Sequence, residues 1–99
     1  MRTVMVRYTL KPDRVAESEA LIAQVFEQLA REKTPGVHYQ VFKLPDGVSL
    51  VHLATCETEV NPVTLLDAFK RYTAGIRDRC DAPPVNQRLQ VLGDYDMLR

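Results

Sequence analysis

Hydrophobic and polar residues alternate at the start of the chain. In "TVMVRYTL" (3–10), Val4, Val6, Tyr8 and Leu10 share one face, and Thr3, Met5, Arg7 and Thr9 share the other. A period of two in a segment rich in β-branched and aromatic residues predicts a strand. "KPD" ends it and opens a helix, with Asp13 placed as its N-cap. From Arg14 to about Glu32 the period becomes helical. Val15, Ser18, Ile22, Val25 and Leu29 form a stripe that Leu21 and Phe26 widen, and "TPG" (34–36) stops it.

"VHYQVFKL" (37–44) and "VSLVHLATC" (48–56) flank "PDG". Asp-Gly between two β-rich runs predicts a hairpin with a type I′ turn. A loop at Asp46-Gly47 pairs Pro45 with Val48, and this sets Val41 opposite His52, Phe42 opposite Val51, Tyr39 opposite Ala54 and Val37 opposite Cys56. "ETEVNP" reads as a loop. "TLLDAFKRYTAGIRDRC" (64–80) reads as a second helix, with Thr64 and Asp67 as a capping box or an earlier start at Asn61-Pro62. Leu65, Phe69, Tyr72 and Ile76 form its apolar stripe, and Gly75 marks close packing or a weakened last turn. "DAPPV" interrupts the chain, and "NQRLQVLGDY" (86–95) alternates as a last strand. The order β-α-β-β-α-β predicts a ferredoxin-like α+β fold: a four-stranded antiparallel sheet with both helices on one face.

The two sheet faces differ. Val4, Val6, Tyr8, Val37, Tyr39, Val41, Leu50, His52, Ala54, Cys56, Leu89 and Val91 should face the helices. The second face mixes Met5, Phe42, Leu44, Val51, Leu53 and Leu92 with polar residues such as Arg7, Arg88 and Gln90. Leaving six large apolar side chains wet would forfeit on the order of 10 kcal/mol. A homodimer packed through this face is therefore expected, and Arg7 there should pair with an acid or with carbonyls across the interface.

Length and charge narrow the class. A chain of 99 residues is expected to be one domain. Thirteen basic and thirteen acidic residues cancel, so no net field draws in nucleic acid or an anionic membrane. No apolar run approaches the ~20 residues of a membrane span, and the start of the chain does not read as a signal peptide. A cytoplasmic location is expected. Cys56 and Cys80 form no metal-ligand spacing and should be free thiols.

The chemistry rests on few side chains. His52 and Cys56 share a face but lie roughly 13 Å apart at ~3.3 Å per residue, too far for a nucleophile and its base. Cys56 reads as a small buried hydrophobe or as part of a cleft wall. Tyr8, Tyr39 and His52 project from the helix-facing surface, and Tyr72 from the inward stripe of the second helix. These four polar-tipped groups either converge on a cleft between sheet and helices or bury their rings as core. His52 is the candidate general base, since an imidazole titrates near neutral pH with little tuning, or else a hydrogen-bonded core residue. Arg71, Arg77 and Arg79 either bind an anion or complement the helix C-terminus.

"KTPGVHYQVFKLPDGVSLVHLATCE", with its Pro-Gly, its hairpin and its acidic turn into the second helix, resembles the antibiotic biosynthesis monooxygenase family of the dimeric α/β barrels. "RDRCDAPP" is similar to small bacterial proteins of the same group, and the resemblance covers most of the chain. It implies a ferredoxin-like subunit that pairs sheet to sheet. Members include oxygenases that act on aromatic polyketides without a cofactor, helped by polar and aromatic pocket residues, and haem-degrading enzymes. The latter carry an asparagine on strand one, a tryptophan ending strand three and a histidine on helix two. Here Val6 and Cys56 stand at the first two positions, and the second helix has no histidine. The resemblance thus argues against haem degradation and implies a cofactor-independent oxygenase of a small hydrophobic or aromatic molecule; the residues themselves offer His52 as the catalytic candidate and Tyr8, Tyr39, Tyr72 and Cys56 as the candidate ligand-binding set. A non-catalytic binding protein and a purely structural dimer, its cleft filled by its own side chains, are the alternatives.

Overall fold

The computed structural model describes residues 1–97. Strand β1 (Arg2–Leu10) leads through a 3-10 turn (Pro12–Arg14) into helix α1 (Val15–Glu32). Strands β2 (Val37–Lys43) and β3 (Ser49–Cys56) form the hairpin. A second 3-10 turn (Pro62–Leu65) precedes helices α2 (Asp67–Thr73) and α3 (Ile76–Arg79), and strand β4 (Cys80–Leu89) closes the sheet. The sheet is antiparallel in the order β2-β3-β1-β4, which is the ferredoxin-like α+β arrangement. Buried Tyr8, Leu10 and Leu50 of the sheet meet Val25 of α1 and Leu66, Ala68 and Tyr72 of the α2 region. No helix among the described residues is long and apolar enough to cross a membrane.

The hairpin register is as expected: Val37 pairs with Cys56, Tyr39 with Ala54, Val41 with His52 and Phe42 with Val51. The turn itself is not type I′, because only Gly47 has a positive φ, 79°. Gly47 N–H donates to the Leu44 carbonyl, with Pro45 second in the turn, where its fixed φ favours it. The Asp46 carboxylate accepts from the backbone N–H of Val48 and Ser49 and from the Ser49 hydroxyl. Those three bonds hold its carboxyl below the usual range, the Ser49 hydroxyl contributing most.

Three expectations about the helices need correction. Asp13 does not cap α1. It lies in the 3-10 turn, and Arg14 occupies the cap position with no side-chain cap bond. The second helix is not continuous: Gly75, at φ 75°, separates α2 from α3. Nor do Thr64 and Asp67 form a capping box. Thr64 Oγ1 donates to the Asn61 carbonyl, while Gln28 of α1 accepts from the Ala68 N–H at 2.9 Å and supplies the cap from another helix.

The last strand is a fourth correction. It runs Cys80–Leu89, not 86–95, and so includes "DAPPV". Prolines cost a strand its ladder donors, but β4 is an edge strand, where such donors are dispensable. Its pairing with β1 shifts register twice, at Pro83-Pro84 between Arg7↔Val85 and Thr9↔Ala82, and again between Thr9↔Ala82 and Leu10↔Cys80. The face assignment inverts with it. Arg88 pairs with Val4 and Asn86 with Val6, so Asn86 and Arg88 face the helices, while Leu89 joins Val85 on the second face. Val91 and Leu92 lie beyond the strand and are exposed.

Candidate functional site

Between the sheet and α2–α3 lies a cavity of about 760 Å³. This is within the range of small-molecule sites. Val4, Val6, Ala54, Val63, Phe69 and Ile76 supply apolar wall, and all five expected residues, Tyr8, Tyr39, His52, Cys56 and Tyr72, line it.

Strand alternation brings the polar groups together. Tyr8 on β1, Tyr39 on β2 and His52 on β3 point to one side of adjacent strands, and Tyr72 comes down from α2. Tyr39 Oη lies 2.6 Å from His52 Nδ1, and Tyr8 Oη lies 2.7 Å from Nε2. Tyr8 and Tyr72 share a short hydroxyl–hydroxyl bond, and Tyr72 Oη is 3.2 Å from Nε2. Tyr39 also stacks on Phe26 of α1, with centroids 5.1 Å apart and planes 8° from parallel. Cys56 is only 1% exposed and makes no bond to His52, whose ring nitrogens both face tyrosines.

Burial sets the protonation of this group. His52 is 6% exposed, and burial lowers its pKa from 6.5 to about 4. Its imidazole is therefore neutral at pH 7. The expectation of a base poised near neutral pH is corrected: no carboxylate faces the ring to offset desolvation. Burial raises the Tyr8 hydroxyl to about 12, with the Tyr72 hydrogen bond opposing part of the shift. Burial likewise pushes Tyr39 and Tyr72 far up, with Tyr8 adding to both.

All four groups are thus uncharged, and the protons can be counted. The row Tyr39–His52–Tyr8–Tyr72 has three links and four polar hydrogens, three hydroxyl and one ring N–H. Donation starting at Tyr72 leaves the Tyr39 hydrogen unused. Donation starting at Tyr39 leaves that of Tyr72. One end of the row always offers a donor while the other offers an acceptor. A proton entering at one end is matched by one leaving at the other, with the imidazole changing tautomer and no lasting charge.

Arg79 was missed as part of this architecture. It is 3% exposed, neither solvated nor aimed at an anion. Nε donates to Ser18 Oγ at 3.2 Å, Nη1 to the Ala74 carbonyl at 3.1 Å and Nη2 to the Tyr72 carbonyl at short range. The break at Gly75 frees those carbonyls, and Arg79 restores their partners. Its guanidinium also lies 5.5 Å from the Tyr72 ring centroid. Gly75 within a helical pattern was the available sign of the break. Nothing nearby marked which residue fills it. Among the described residues no cluster of His, Cys, Asp or Glu could hold a metal.

No protein-family model and no curated protein matches the chain. Solved structures do. An antibiotic biosynthesis monooxygenase is 14% identical and superposes with a TM-score of 0.77, covering 94% of this chain and all of its own. Rv0793 from Mycobacterium tuberculosis is 19% identical with a TM-score of 0.76, covering 94% and 96%. SnoaB, a cofactor-independent oxygenase from Streptomyces nogalater, is 17% identical with a TM-score of 0.70, covering 96% of each chain. The chain has the fold of the antibiotic biosynthesis monooxygenase-like proteins.

Proposed function

We propose that the protein is a cofactor-independent oxygenase of a small hydroxylated aromatic molecule. The observation that carries this reading is the cavity whose wall holds the Tyr39–His52–Tyr8–Tyr72 row. Apolar walls hold the ring, and the row accepts the phenolic proton at one end and releases one at the other. The electron-rich ring is the reductant for dioxygen. One oxygen atom replaces a ring hydrogen and the other leaves as water, which carries that hydrogen and a proton returned through the row, so that a phenol and dioxygen give a quinone and water. His52 acts as a neutral relay in this scheme. Resemblance in fold to SnoaB is consistent with it.

A second reading has its own support. Both His52 ring nitrogens are already bonded to tyrosine hydroxyls and His52 is a weak base, as suits a protein that binds without reacting. Oxygen uptake with a naphthol or a hydroquinone separates the two. The expected result is uptake above the protein-free blank that falls by about a hundredfold in His52→Gln. Binding without uptake would establish the non-catalytic reading, and absence of binding would remove both.

We further propose a homodimer through the second sheet face. Phe42 and Val85 there are 46% and 56% exposed, beside Met5, Val51, Leu53 and Leu89. A second copy would cover this surface without using the cavity, which opens on the other side of the sheet.

A further inference from the structure

The cavity is polar at both ends, and the ends differ. One holds the tyrosines and His52. The other holds arginines: Arg2 of β1 and Arg88 of β4 both line the cavity there, and Arg77 of α3, which leads into Cys80 opposite Leu10, lines it elsewhere. No aspartate or glutamate lines it. Among the described residues none of these three arginines forms an ion pair. Arg2 Nε is sealed from solvent and has no hydrogen-bond partner among the described residues. Asp94 shares an adjoining groove with Arg2 and Arg88, but its Oδ1 accepts from the Met97 N–H and it pairs with neither arginine.

A buried guanidinium nitrogen without an acceptor is costly. Arg77 and Arg88 are exposed to water, so the cost falls on Arg2. An anion reverses it, and a carboxylate matches the guanidinium fork in shape as well as charge.

The spacing follows from the register. His52 pairs with Val6, and four residues along, Cys56 pairs with Arg2. At ~3.3 Å per residue the two ends are roughly 13 Å apart along the strands. Arg88, opposite Val4, stands one step nearer to the row.

We infer that the ligand is an amphiphile with a carboxylate held by Arg2 and Arg88, an aromatic body along the apolar wall, and a hydroxyl at the Tyr–His row. This rests on the cavity being a ligand site and adds the ligand's charge and orientation. It also orients the oxidation, since the hydroxylated ring would sit at the relay and the acid at the mouth.

The test is calorimetric titration with 6-hydroxy-2-naphthoic acid and with its methyl ester, which differ in the charge and in one methyl group. At low ionic strength the acid should bind about tenfold or more tighter than the ester, with the difference shrinking as salt screens the arginines. The double variant Arg2→Gln/Arg88→Gln should lose that preference while its affinity for the ester stays unchanged, which also shows that the variant folds. Equal binding of acid and ester by the wild type would overturn the inference and leave the cavity reading standing. So would a preference that survives in the double variant. If neither compound binds, the cavity reading falls and this inference falls with it.

Discussion

A neutral His52 at the centre of the row has a measurable cost at acid pH. Its folded pKa is about 4 against 6.5 for the free side chain. Above the unfolded value both states are neutral, and the residue contributes no pH dependence. As pH falls through 6.5 the unfolded chain takes up a proton that the folded chain refuses, so stability declines. The decline is complete only below the folded value. At about pH 4.5 the two pKa values imply a loss of about 2.5 kcal/mol relative to about pH 7. Carboxylates also lose stability there, so the comparison is with His52→Gln, which keeps them all. Urea unfolding of both proteins at both pH values and one protein concentration isolates the His52 contribution. The wild type should lose about 2.5 kcal/mol more than the variant. Parallel losses would mean that His52 is not held neutral, and the relay reasoning would fail with it.

Arg79→Met should cost about 3 kcal/mol, because it strips the Tyr72 and Ala74 carbonyls of their donors inside the protein; a change below about 0.5 kcal/mol in urea unfolding would contradict the clamp. Val51→Asp, on the proposed dimer face, should shift the mass measured by light scattering from dimer to monomer or unfold the chain. A monomeric wild type at micromolar concentration would remove the dimer. Cys56, buried on the cavity wall and without an activating base, should react with a thiol reagent far more slowly in the native protein than in urea. Native modification of Cys56 at the unfolded rate would contradict its placement.

The strand faces of β1, β2 and β3 were legible because a period of two leaves no freedom once Asp46-Gly47 fixes the hairpin register. The meeting of Tyr8, Tyr39, His52 and Tyr72 followed from those faces and from one helical stripe. β4 was not legible in the same way. Pro83 and Pro84 signal a break wherever the strand has two neighbours, and only the edge position makes them tolerable. The misplaced strand also hid Arg88 from the cavity, and with it the arginine end of the site. The low basicity of His52 depends on burial from three directions, by sheet, α2 and the Tyr39 side, which no local pattern encodes. Arg79 was hidden for a related reason. Its partners are carbonyls released by a helix break, together with a serine 61 positions away in the chain.

The central claim, a ligand hydroxyl bonded into the row at a neutral His52, is tested most directly by nitrogen NMR of the imidazole. Spectra recorded at about pH 6 with and without 2-naphthol report both charge and tautomer through the Nδ1 and Nε2 shifts. The expected result is a neutral ring in the free protein and a change in the Nδ1/Nε2 pattern that saturates as the naphthol binds. A ring protonated at that pH, or nitrogen shifts that stay fixed while the naphthol is shown to bind, would contradict it.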